Sequence, residues 1–170
     1  MQNLKMYANL HTHSTHSDGA YDPRKLVSIA AREGYRAFAV TDHDTGDYFG
    51  IGVLCATNKE PHILATENHM LFIGADNFVI AFDIAQKQVR SIIPMPSDFV
   101  DFFYLANRDM VFMVHKKGVF VKDDEAQDIW RVSRGNMTGY ALEKNLFVMK
   151  LVSGKTVAFK ISNGKEVVLK

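Results

Sequence analysis

A single cysteine, Cys55, stands among the 170 residues, which excludes an intramolecular disulfide and leaves the fold to its core. Charge of one sign is lacking as well. Twenty Lys and Arg against nineteen Asp and Glu leave a formal charge of +1, excluding a whole-molecule field able to draw nucleic acid or an acidic membrane. No apolar run approaches the roughly 20 residues that span a bilayer, so no membrane association is expected. The opening MQNLKMYANLHTH carries no apolar stretch of the length a secretory leader requires, and the expected setting is cytoplasmic. What is present is ordinary for a folded protein: 47% hydrophobic and 23% charged residues, in a chain long enough for one sizeable core or two small ones.

The texture of the chain changes near residue 50. Before it, Tyr7-Ala8-Asn9-Leu10 reads as a short strand and His11 to Gly19 as a polar loop. Asp22-Pro23 reads as an N-cap followed by proline at the first helical position, where its missing N–H costs nothing. Leu26, Ile29 and Ala30 fall on one face at helical spacing, and Gly34 supplies a stop, giving a helix of about eleven residues. Ala37-Phe38-Ala39-Val40 is an apolar run without alternation, as in a strand covered on both faces. Together these make a βαβ unit.

After residue 50, strand–turn–strand patterns recur three times. The first runs from Leu71 to Asp83 about a turn at Ala75-Asp76-Asn77. Val111 to Asp123 repeats it about Lys116-Lys117-Gly118, and Leu146 to Lys160 about Ser153-Gly154-Lys155. Phe72, Phe112 and Phe147 align the copies at offsets of 40 and 35 residues. Trp130, Phe102, Phe103 and Tyr104 read as packing aromatics of these repeats, Lys116-Lys117 as a solvated turn and Cys55 as an inert buried thiol.

The residues that carry chemistry lie in the first part. His11-Thr12-His13 puts two imidazoles on one side of a strand, within reach of one ion. Asp18 comes next in the loop, with Gly19 letting the chain turn sharply. His43, flanked by Asp42 and Asp44, comes just past the next strand. Both sets thus emerge at the C-terminal ends of neighbouring parallel strands, where α/β folds place their sites. Imidazole and carboxylate without thiolate suit Zn, Mn or Fe. For Asp18 the competing role is an Asx-type turn; His16 reads as a solvent-facing loop residue; Asp42 and Asp44 either orient His43 or cap the next stretch of chain.

The segment HTHSTHSDGAYDPRKLVSIAAREGYRAFAVTDHDT resembles the opening of a PHP-domain (polymerase and histidinol phosphatase) metal-dependent phosphoesterase, over residues 7 to about 45. The H-x-H, the S-D-G turn, the D-P helix start and T-D-H-D occur in order. The resemblance implies a distorted (β/α) barrel with two or three divalent ions at its strand ends, and His11, His13, Asp18 and His43 match family ligands. It also implies a bridging Glu, for which Glu67 stands at the matching distance. Family members act on nucleotides, histidinol phosphate or nucleic-acid ends. The D-x-H motif that completes a family site is absent from the sequence, and His69 and His115 lie in no family-like context. Residues 62–170 resemble, more weakly, β-propeller blades, although no Trp-Asp dipeptide is present and three copies fall short of the usual minimum of about four.

The expected class is therefore α+β, a PHP-like metal-binding segment over residues 1–50 succeeded by a β-repeat region over 62–170. The expected function is metal-dependent hydrolysis of a phosphate ester, with divalent Mn, Zn or Fe at His11, His13, Asp18, His43 and Glu67 and with no catalytic residue assigned. A phosphorylated small molecule or nucleotide is the expected substrate. The competing expectation is a non-catalytic binding or scaffold protein that carries a vestigial PHP segment, with a protein partner on the β repeats. A third is a composite of two incomplete folds that associates with itself because apolar faces stay open.

Overall fold

The structure is a computed structural model that describes residues 7–15, 17–33, 35–40, 50–53, 55 and 60–168. Its first strand, β1 (Tyr7–Thr12), runs through a polar loop into helix α1 (Pro23–Arg32) and then β2 (Tyr35–Val40), which pairs parallel to β1. Asp22 caps α1, its Oδ1 accepting from the Lys25 backbone N–H at 3.0 Å, and Pro23 comes next with its fixed φ. Leu26 and Ala30, one helical turn apart, are buried with Val40 of β2.

The next strand breaks the βαβ pattern. β3 (Gly50–Val53) pairs with β2 antiparallel and closes a three-stranded sheet of order β1-β2-β3. From there the chain makes three antiparallel meanders of four strands each. The first holds β4 (His62–Ala65), β5 (Met70–Ala75), β6 (Phe78–Asp83) and β7 (Gln88–Pro94). The second holds β8 (Phe99–Leu105), β9 (Met110–His115), β10 (Gly118–Asp123) and β11 (Asp128–Ser133). The third holds β12 (Met137–Glu143), β13 (Leu146–Leu151), β14 (Thr156–Lys160) and β15 (Glu166–Val167).

The α+β class expected from the sequence is thus overturned: the chain is nearly all-β. Besides α1, the described residues add only a 3-10 turn at Ala106–Arg108. The barrel-like continuation fails for a physical reason. A (β/α) barrel needs another crossover helix after β2, and the segments after residue 60 instead carry β-branched and aromatic residues between tight turns.

The sheets stack face to face, and the alternation of side chains distributes each central strand between two cores. Phe72 and Met70 of β5 join Val111 and Met113 of β9 between the first and second sheets. Phe112 and Val114 of β9, with Val119 and Val121 of β10, meet Phe147, Met149 and Phe159 between the second and third. Ile73, Phe78 and Ile80 turn the other way and pack on Ile51, Val53 and Cys55, tying the first four-stranded sheet to the N-terminal unit. Burial on both faces explains why MVFMVH and FVIAFD are apolar at every position but the last. Trp130, Phe102, Phe103 and Tyr104 all pack into these cores, and Trp130 also donates its indole N–H to the Ile161 carbonyl at 2.6 Å.

Candidate metal centre

The loop after β1 folds back on itself. The backbone N–H groups of Ser17 and Gly19 both donate to the Ser14 carbonyl, at 3.0 and 2.9 Å, and Thr15 donates to Tyr21 at 3.0 Å. Gly19 lies so close to the strand end that a Cβ there would stand 1.9 Å from the His13 carbonyl oxygen. Glycine is needed at this point for clearance rather than for an unusual φ. The wrapped loop brings Asp18 back to His13, with Oδ1 2.8 Å from Nδ1. Ser17 Oγ is 3.5 Å from the same nitrogen.

His13 is half-buried at 18% side-chain exposure and Asp18 open at 72%, so the pair sits at the mouth of the strand end with its carboxylate toward solvent. Thr12, between the two histidines of the H-x-H, has a buried Oγ1 without a hydrogen-bond partner among the described residues. His11 lies within β1. His43, with His16, Asp42 and Asp44, falls outside the described residues. Glu67 is exposed in the turn between β4 and β5, on a different sheet from His13.

A divalent ion fits the pair that is described. Donor atoms about 2.1 Å from one ion and at right angles around it stand about 3 Å apart, close to the 2.8 Å observed. An imidazole nitrogen and a carboxylate oxygen are also the donor types that Zn, Mn and Fe share. Among the described residues no group of three or more His, Cys, Asp or Glu side chains is arranged to hold an ion.

The other histidines have other work. His69 is exposed in the turn before β5 with φ 60. His115 is wholly buried and both ring nitrogens are engaged. The Lys117 backbone N–H points at Nδ1 at 3.3 Å and Ser97 Oγ lies 2.8 Å from it, while Nε2 faces Ser133 Oγ at 3.4 Å. The network assigns the neutral tautomer with its proton on Nε2. Burial, with the Lys117 charge second, lowers its pKa from 6.5 to about 4. Cys55 is half-buried, and burial, helped by Asp76, raises its thiol above the usual range.

One constellation has no motif in the sequence to announce it. Asp101 on β8 meets His62 of β4 through Oδ1 at 3.3 Å and accepts the Tyr140 hydroxyl of β12 on Oδ2 at 3.3 Å. The three residues occupy the first strand of each four-stranded sheet and are spaced by 39 residues each time. That constant interval is the available signal.

A family model described as PHP domain matches residues 9–109, running from the strand that carries His11 through the first four-stranded sheet to the turn after β8. The error-prone DNA polymerase of Mycobacterium tuberculosis is 58% identical over 40 residues, which is 22% of this chain and 4% of the polymerase. Among solved structures, the computationally designed Ika8 protein superposes with a TM-score of 0.51 at 13% identity, covering 89% of this chain and 50% of that one. The WD40 domain of Neurospora crassa Pan2 gives a TM-score of 0.47 at 12% identity over 62% of this chain and 36% of that one. Residues 62–170 resemble propeller blades in their succession of four-stranded meanders.

Proposed function

The chain belongs to the PHP domain family, and on that premise we propose that it holds divalent ions at the C-terminal ends of β1 and β2 and hydrolyses a phosphate ester. The observation that carries this reading is the convergence of His13 Nδ1 and Asp18 Oδ1 at 2.8 Å, held by the Gly19 turn. In this reading His11 and His43 complete the ligand set from the ends of the two parallel strands, and Glu67 serves only if its turn reaches the same ions. Bound there, the ions would supply Lewis-acid stabilisation of charge on the phosphoryl group. The chain's own share is to orient the donors: the Ser14 carbonyl gathers the loop, and Ser17 Oγ stands beside the His13 nitrogen. The substrate class is a phosphorylated small molecule or nucleotide.

A second reading rests on the exposed position of Glu67 in the turn between β4 and β5: a PHP segment without a full cluster, joined to blades that bind a protein partner. Metal content per chain separates the two. About two ions in the wild type, lost in His11→Ala/His13→Ala together with hydrolysis of p-nitrophenyl phosphate, is the outcome expected for the phosphoesterase. A folded wild-type chain that takes up no Mn, Zn or Fe on dialysis would leave the binding reading alone.

A further inference from the structure

The three central hairpins end on equivalent ladder pairs: Met70 opposite Asp83, Met110 opposite Asp123, and Leu146 opposite Lys160. In the first two sheets the acid at this position closes its own turn. Asp83 Oδ1 accepts the Gln86 N–H at 2.9 Å, and Asp123 Oδ1 accepts those of Glu125 and Gln127 at 3.1 and 2.7 Å. In the third sheet a lysine takes the place of the acid. There the turn is closed without the Lys160 side chain: the Lys160 carbonyl accepts from the Gly164 N–H at 2.9 Å and the Asn163 side chain from the Lys165 N–H at 3.0 Å.

The next position changes too. Asp124, after Asp123, is buried and receives the Asn68 amide from the first sheet. Its counterpart after Lys160 is Ile161, which is buried in the apolar core between the second and third sheets. The residue two before the paired strand is Asn68 in the first sheet and Arg108 in the second. Between the first and second sheets, therefore, an amide meets a carboxylate, while between the second and third a guanidinium stands where both acids have been lost.

Arg108 and Lys160 line a cleft of about 430 Å³ with Asn145, Leu146 and Ser162, and none of these residues is acidic. Arg108 Nη2 donates to Asn145 Oδ1 at 2.7 Å, which fixes the guanidinium and the amide with further N–H groups to spare. No ion pair engages Arg108 or Lys160 among the described residues. The cleft at the other junction differs. It is lined by Arg90, Ser91, Lys122, Glu125, Ala126 and Gln127, and its cations are spent on Asp83 and Asp128, at 3.7 and 2.9 Å.

We infer that the cleft between the second and third sheets is an anion site that takes the phosphate group of a small phosphate monoester. A guanidinium, an ammonium, an amide and a hydroxyl around one opening supply charge-assisted donors to a tetrahedral dianion. Leu146 gives the attached organic part an apolar wall. The inference stands apart from the metal reading, because none of its residues belongs to the N-terminal unit.

The test is a titration of EDTA-treated protein, monitored by amide NMR, with inorganic phosphate and with ribose 5-phosphate. EDTA removes ions that could bind phosphate near His13, and the signals of Asn145 and Ser162 localise the event. Saturable shifts there are expected, with ribose 5-phosphate the tighter ligand; equal affinity for the two would keep the site and reassign it to the free ion. Arg108→Gln/Lys160→Gln should weaken binding at least about tenfold. Lys160→Asp, which installs the acid found at the equivalent positions of the first two sheets, should abolish it while leaving the remaining spectrum in place. Linear, unsaturated shifts, or unchanged affinity in a folded Lys160→Asp protein, would overturn the inference.

Discussion

Protonating His115 would set a second N–H on Nδ1 against the Lys117 N–H that already points there, inside a site with no solvent access. Its folded pKa of about 4 lies below the free value of 6.5, so on acidification the unfolded chain takes up this proton first. The contribution is complete above about pH 6.5, declines by up to roughly 3 kcal/mol as the pH falls to about 4, and levels off below that. Urea midpoints measured at pH 7.5 and 4.5 should show the loss, and His115→Gln should remove this part of the pH dependence even though it lowers stability at both. At the other end of the chain, Gly19→Ala forces a methyl group to within 1.9 Å of the His13 carbonyl and must open the loop. If the His13–Asp18 pair holds an ion, this variant should lose affinity for Mn or Zn by at least about tenfold with little change in melting temperature, since the loop carries no residue of the apolar core; metal titration and calorimetry read the two effects.

Among the strands of the three meanders, β9 contributes most to the interior, with all six of its residues buried. Phe112 lies stacked on Phe147 at 6.2 Å and edge-on to Trp130 at 5.9 Å between the second and third sheets. Phe112→Ala should cost about 3–5 kcal/mol, read as a lower urea midpoint with an unchanged slope. This is also the scale at which the sequence is most legible. Leu71, Val111 and Leu146 announce their strands because alternation and turn chemistry are local, and Asp22-Pro23 marks the helix start for the same reason. The class is misleading from sequence because one strong local signal, the helix with its flanking strands, points to a barrel that depends on what pairs with β2, and pairing is not local. The site is legible to the same degree. The His13–Asp18 contact lies within a nine-residue motif, whereas the Arg108–Lys160 cleft joins residues 52 positions apart in sequence and is visible only once the hairpins are laid in register.

At the scale of the molecule, the N-terminal unit has a structural duty whatever its chemistry. Ile51, Val53 and Cys55 cover the face of the first meander that carries Ile73, Phe78 and Ile80. Deleting residues 1–60 would bare that face, and a contiguous apolar surface of this kind drives association. The shortened chain should sediment as oligomers and melt below the full chain; a monomer with an unchanged melting point would mean that the cover contributes nothing. Within the stack, Asp101 touches a neighbour on each side, His62 before it and Tyr140 after it. A linear array of units coupled only to their neighbours melts in as many steps as its weakest junction allows, and here one carboxylate belongs to both junctions. Asp101→Asn loosens the two together, so its signature is a broadened transition in which the outer units come apart independently, more than a large drop in the midpoint.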